Sequence, residues 1–105
     1  MFIVNRGYIL VRGKQPFVDW ANAQQPEFEV TVDGEPTIYL VEEEFYDEQL
    51  LLKENFKRIF FAELDAVSDD ESSFPDIKLQ VFNDWFNVET GSTVMDTMKG
   101  GLNRE

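Results

Sequence analysis

The stretch Gly7-Tyr8-Ile9-Leu10-Val11-Arg12 decides the fold. Four apolar residues follow one another between a glycine and an arginine. A strand with one wet face would alternate apolar and polar side chains. A continuous apolar run of this length reads as a strand covered on both faces. Thr37-Ile38-Tyr39-Leu40-Val41 repeats the pattern. Between the two lies a segment that alternates: Phe28, Val30 and Val32 against Glu27, Glu29, Thr31 and Asp33. This predicts a half-buried strand. Asp33-Gly34-Glu35-Pro36 is turn chemistry that would join it to Thr37–Val41 as a hairpin.

Helical signals fill the gaps. Pro16 suits a first helical turn, Phe17, Trp20 and Ala21 fall on one face, and Pro26 marks the exit. Asp47 can cap the longest helix, which extends to about Val67. Its apolar stripe steps by three or four through Leu52, Phe56, Ile59, Phe60, Leu64 and Val67. Glu54 and Lys57 or Arg58 are spaced for surface pairs. Ser68 to Pro75 reads as an acidic loop, and Lys78 to Phe86 as a short amphipathic helix. Val88 to Met95 reads as a last strand weakened by Gly91.

The resulting order is βαββααβ, an α+β chain. A ferredoxin-like plait would place the two apolar strands in the centre and the two alternating ones at the edges of a four-stranded, mostly antiparallel sheet. Another two-layer α/β sandwich is the alternative. Residues 1–98 are expected to form a single α+β domain and 99–105 a frayed tail. In a plait both helices lie on one face. The apolar character of both faces at the sheet centre then demands a cover: the helix Lys78–Phe86, a second copy of the chain, or a ligand.

Charge narrows the function. The 105 residues carry 21 Asp and Glu against 9 Lys and Arg, a net charge of −12, with no Cys and no His. The commonest general base and the softest metal ligands are missing. Acid concentrates at Glu42, Glu43, Glu44, Asp47 and Glu48, and again at Glu63, Asp65, Asp69, Asp70, Glu71 and Asp76. Residues 1–14 hold Arg6, Arg12 and Lys14 and no acid. Such a surface repels nucleic acid and anionic membrane and attracts a basic protein. No run approaches the length of a membrane span and no signal-peptide pattern is present, so a cytoplasmic setting is expected.

Two further constellations have competing readings. Lys14-Gln-Pro-Phe-Val-Asp-Trp-Ala-Asn22 echoes Leu79-Gln-Val-Phe-Asn-Asp-Trp-Phe-Asn87. Trp20 and Trp85 are either paired anchors of an interface or ordinary helix-to-sheet packing. In the second reading Asn22 and Asn87 sit at helix ends, where left-handed backbone suits them. Asp19 and Asp84 could form a carboxylate pair if they shared a cleft, but on amphipathic helices they face water. The acids from Asp65 to Asp76 lack the alternating ligands and central glycine of a calcium loop, so no metal site and no cofactor is expected.

Several segments carry a resemblance: Arg6 to Asn22, Tyr39 to Glu43, Asp70 to Pro75, Phe82 to Glu89 and Ser92 to Asp96. In this order they resemble a family of small acidic bacterial proteins of unknown function. The resemblance implies a bacterial source and a one-domain unit, and it brings no activity. The leading expectation is a small protein-binding or regulatory module. Its candidate interaction residues are Trp20, Trp85, Glu42, Glu43, Glu44, Asp69, Asp70 and Glu71, its partner a basic protein. A small carboxylate enzyme, with or without a divalent metal, and a structural homo-oligomer such as a homodimer are the alternatives.

Overall fold

The computed structural model describes residues 1–27, 29–32, 34–43 and 47–98. Glu44, Phe28, Asp33 and the expected tail 99–105 lie outside them. The elements run β1 (Phe2–Val4), β2 (Gly7–Gly13), α1 (Gln15–Gln24), β3 (Thr37–Val41), α2 (Glu48–Asp65), a 3₁₀ turn (Glu71–Ser73), α3 (Leu79–Trp85), β4 (Phe86–Gly91) and β5 (Val94–Asp96).

The chain is α+β, but its sheet is not the four-stranded plait. Three strands pair in the order β3-β2-β4, and β1 pairs with β5 in a separate two-stranded ribbon. All pairings are antiparallel. The first apolar strand is central as expected, but the second, expected beside it in the centre, is an edge strand. They also run in opposite directions, where the plait needs parallel central strands. The difference lies in residues 25–36. The segment expected as a strand does not enter the sheet, and Val30 is instead tied to α1. Asn22 Oδ1 accepts from the Val30 amide at 2.8 Å, and Asn22 Nδ2 donates to the Val30 carbonyl at 3.2 Å. One side-chain amide thus satisfies the donor and acceptor that a sheet ladder would have used. Phe28 and Asp33, also part of the expected hairpin, are outside the described residues.

The helices follow the sequence closely. Asp47 caps α2, its Oδ1 accepting from the amides of Gln49 at 2.9 Å and Leu50 at 3.4 Å. The expected stripe is buried from Leu52 to Leu64 and widened by Leu51 and Asn55, whereas Val67 lies past the helix end and is half-buried. Pro16 lies in the first turn of α1. The neighbours of α3 were not foreseen. It packs on the core side of the sheet with α1 and α2, so it does not cover the opposite face. Phe82 is fully buried, its ring 5.6 Å from Phe60, 6.2 Å from Phe56 and 5.2 Å from Phe86.

The expected last strand is broken. It becomes β4 and β5, separated by Ser92 and Thr93. The partner strands β2 and β1 break at the matching place. Val4 faces Val94 and Tyr8 faces Gly91. One side therefore uses Asn5, Arg6 and Gly7 where the other uses Ser92 and Thr93, a one-residue bulge that redirects the ribbon. Gly91 has its own reason. A Cβ there would collide with the ring of Tyr8, which lies across it.

Alternation along β2 divides the sheet into two faces. Ile9 and Val11 point into the core with Phe60, Leu64 and Phe86. Tyr8 and Leu10 point the other way, in register with Leu40 and Ile38 of β3. Ile38 is 58% and Leu40 47% exposed. All three helices being on the core side, no element among the described residues covers this outer face.

Candidate functional site

One concavity lies between β3 and α2. Tyr39, Leu40 and Val41 form one wall and Asn55, Arg58 and Ile59 the other, enclosing about 230 Å³. Two polar arrangements line this region. The Tyr39 hydroxyl, on the core-facing side of β3, donates to Glu63 Oε2 of α2. Burial, and then the hydrogen bond to Glu63 and its charge, push the Tyr39 hydroxyl well above the usual tyrosine range. Tyr39 is therefore a donor at every physiological pH. Asn55 is the one buried polar residue among those described. Its Nδ2 donates to the Leu51 carbonyl at 2.8 Å, and its Oδ1 accepts from Arg58 Nη2 at 2.6 Å. Asn55 thereby fixes the guanidinium at the cleft, and the other N–H groups of Arg58 remain for acceptors. Arg58 makes this contact rather than the expected ion pair with Glu54.

Above the cleft runs the outer edge of β3. Among the described residues no strand pairs with it. Its amides and carbonyls are therefore available to an added strand. The chain leaves this edge directly into Glu42 and Glu43, both exposed. Glu44 is outside the described residues.

The second acidic group has a local structural task. Asp70 Oδ1 accepts from the Ser72 amide at 3.2 Å and the Ser72 hydroxyl at 2.5 Å, and the Asp70 amide donates to Ser68 Oγ at 3.1 Å. These bonds make Asp70 the cap of the 3₁₀ turn. Asp69 and Glu71 beside it are exposed. Among the described residues one ion pair forms, Lys78 with Asp76 at 3.8 Å, so the acidic charge is largely unneutralised.

The two echo segments meet in space. The Trp20 and Trp85 rings are 6.1 Å apart, and Phe17 lies 6.0 Å from Trp20 and 6.4 Å from Trp85. Both indoles are half-buried and packed against the core. The Trp20 Nε1 donates to the Ser73 carbonyl at 3.0 Å. Backbone bonding joins the same segments, the Lys14 amide donating to the Trp85 carbonyl at 2.7 Å. The asparagines do not mark helix ends. Asn22 is inside α1, where it holds Val30, and Asn87 is in β4.

Asp19 and Asp84 are exposed, and Asp19 accepts from Gln15 Nε2 at 2.7 Å within its own helix. No group of three or more acidic side chains among the described residues is arranged to hold a metal ion. No helix among them is long and apolar enough to cross a membrane. Sequence reasoning missed Tyr39, Asn55, Arg58 and Glu63. The signal for Asn55 was present: a lone amide within the apolar stripe, between Leu52 and Ile59. The Tyr39–Glu63 bond had none, because it joins elements far apart in sequence.

A comparison with protein families, curated proteins and solved structures finds no match.

Proposed function

We propose that this chain is a small protein-binding module that takes an extended basic segment of another protein along the free edge of β3. The observation that carries this reading is the position of that edge, which lies above a cleft and runs directly into Glu42 and Glu43. Strand addition supplies main-chain hydrogen bonds, and pockets beside the edge supply selectivity. Arg58, fixed by Asn55, offers donors to the carbonyls of an incoming strand. Glu42 and Glu43 suit its lysines and arginines. The surplus negative charge steers a basic partner and raises the association rate. Asp69 and Glu71 add to that field from the far end of α2.

The test uses the intact chain and a phage-displayed library of unstructured peptides, selected at low salt. Enriched sequences should be rich in Lys, Arg and strand-forming residues. Amide shifts on adding one such peptide should centre on Thr37–Val41. Binding should weaken from 0.1 M to 1 M salt, as the screening length falls from about 10 Å to about 3 Å. The double variant Glu42→Lys, Glu43→Lys should slow association more than it hastens dissociation. Selection of acidic peptides, or shifts that avoid β3, would overturn the proposal.

A further inference from the structure

The outer face of the sheet and the β1–β5 ribbon are both apolar, and no other element among the described residues covers either; of their residues only Leu40 also borders the cleft beside β3. In the ribbon, register places Ile3 beside Met95 on one face and Phe2 beside Asp96 on the other. Ile3 is 74%, Phe2 59% and Met95 44% exposed. The two strands pack chiefly on each other and make no extensive contact with any helix. An isolated two-stranded ribbon is marginal in water, since it is too thin to shelter either face. The sheet has the opposite problem: an apolar centre at Tyr8, Leu10, Ile38 and Leu40 with no described element laid over it.

We infer that the chain is a two-fold dimer in which the ribbon of each copy lies across the outer sheet face of the other. One symmetric contact then covers both uncovered surfaces, because each copy supplies a ribbon and receives one. The area agrees. With about 200 Å² for a fully exposed large side chain, the exposed fractions of Ile3 and Met95 on one ribbon face and of Ile38 and Leu40 on the sheet amount to roughly 450 Å² per copy. A standard interface buries about 800 Å² per partner, and homodimer interfaces are about 65% apolar. These four side chains therefore supply most of the apolar share such a dimer needs, and the part-exposed Tyr8 and Leu10 add to it. Charge favours a copy over a basic protein at this face. Within the paired strands the outward-facing positions carry one charge of each sign, Arg12 and Glu89, next to the apolar centre.

The dimer and the basic-partner complex respond oppositely to salt. Two chains of −12 repel at long range, so screening should tighten the dimer, whereas it loosens binding at the β3 edge. Sedimentation equilibrium of the full chain at 0.1 M and 1 M salt, up to about 1 mM protein, reads this directly. A dimer that tightens with salt is expected. Ile38→Lys on the face and Ile3→Lys on the ribbon should each weaken it at least about tenfold. Both sites are exposed in the chain, so circular dichroism should be unchanged. If one variant fails to fold, the other still tests the contact from the opposite surface. A monomer at both salts overturns the inference and leaves the face to a different protein. A dimer indifferent to both lysines overturns it as well.

Discussion

Truncating Phe82 to alanine tests the position of α3, on which the openness of the outer sheet face depends. Phe82 has no exposed surface and touches the rings of Phe56, Phe60 and Phe86. Loss of a ring at such a site costs about 3–5 kcal/mol, the transfer term plus that of a cavity the neighbours fill incompletely. At about 4–8 °C per kcal/mol for a domain of this size, the melting midpoint should fall by roughly 12–40 °C. Urea unfolding followed by tryptophan fluorescence suits the measurement. Trp85 lies 5.9 Å from Phe60 and 6.1 Å from Trp20, so both indoles report on the same aromatic cluster. The denaturant slope should stay constant, which assigns the change to stability. Leu50→Ala is the control. Leu50 is apolar but 52% exposed on α2, and alanine there should change stability by no more than about 0.5 kcal/mol. A loss below about 1 kcal/mol for Phe82→Ala would place α3 outside the core and return it to the role of a lid.

Two further outcomes follow from named contacts. Asp47→Ala removes the acceptor for two amides at the start of α2 and should cost about 1 kcal/mol, with Asp47→Asn recovering most of it; equal losses for the two variants would mean that the cap is not the cause. Folding holds the Tyr39 hydroxyl protonated above its unfolded value of about 10, so this contribution is complete below pH 10 and is lost as pH rises beyond it. Tyr39→Phe should therefore flatten the fall of the urea midpoint between pH 9 and 11, and an unchanged alkaline slope would refute the assignment.

Periodicity along single elements made much of the architecture readable. The α2 stripe, its Asp47 cap, the first turn at Pro16 and the central place of Gly7–Gly13 all rest on local pattern, and the structure carries each. The errors arose where a distant side chain outbid the local signal. Phe28–Val32 alternates like a strand, yet the Asn22 amide captures Val30 from a helix eight residues earlier. Antiparallel placement of Thr37–Val41 could not be read from apolar runs, which carry no direction. Phe2–Val4 escaped because its partner, Val94–Asp96, lies at the other end of the sequence. At the site, Glu42 and Glu43 were legible as exposed acid. The Asn55–Arg58 clamp was legible only as an anomaly in a stripe, and the Tyr39–Glu63 bond not at all. That both faces of β2 and β3 are apolar was legible in the two unbroken runs, which have more apolar surface than one helical layer can cover; that the helix Leu79–Trp85 joins the core side instead of covering the second face was not.

The pairing of β2 with β4 has a consequence for how the molecule is made. Tyr8 meets Gly91, so the central strand waits for a neighbour about 80 residues away. On the ribosome, α1 and α2 can form early, but the core face of β2 lacks its second flank until β4 emerges. Loop closure over such a span slows folding, and meanwhile Ile9 and Val11 are open to other chains. High negative charge then serves a purpose apart from recognition. It keeps unfinished copies apart during the interval in which they are most able to stick.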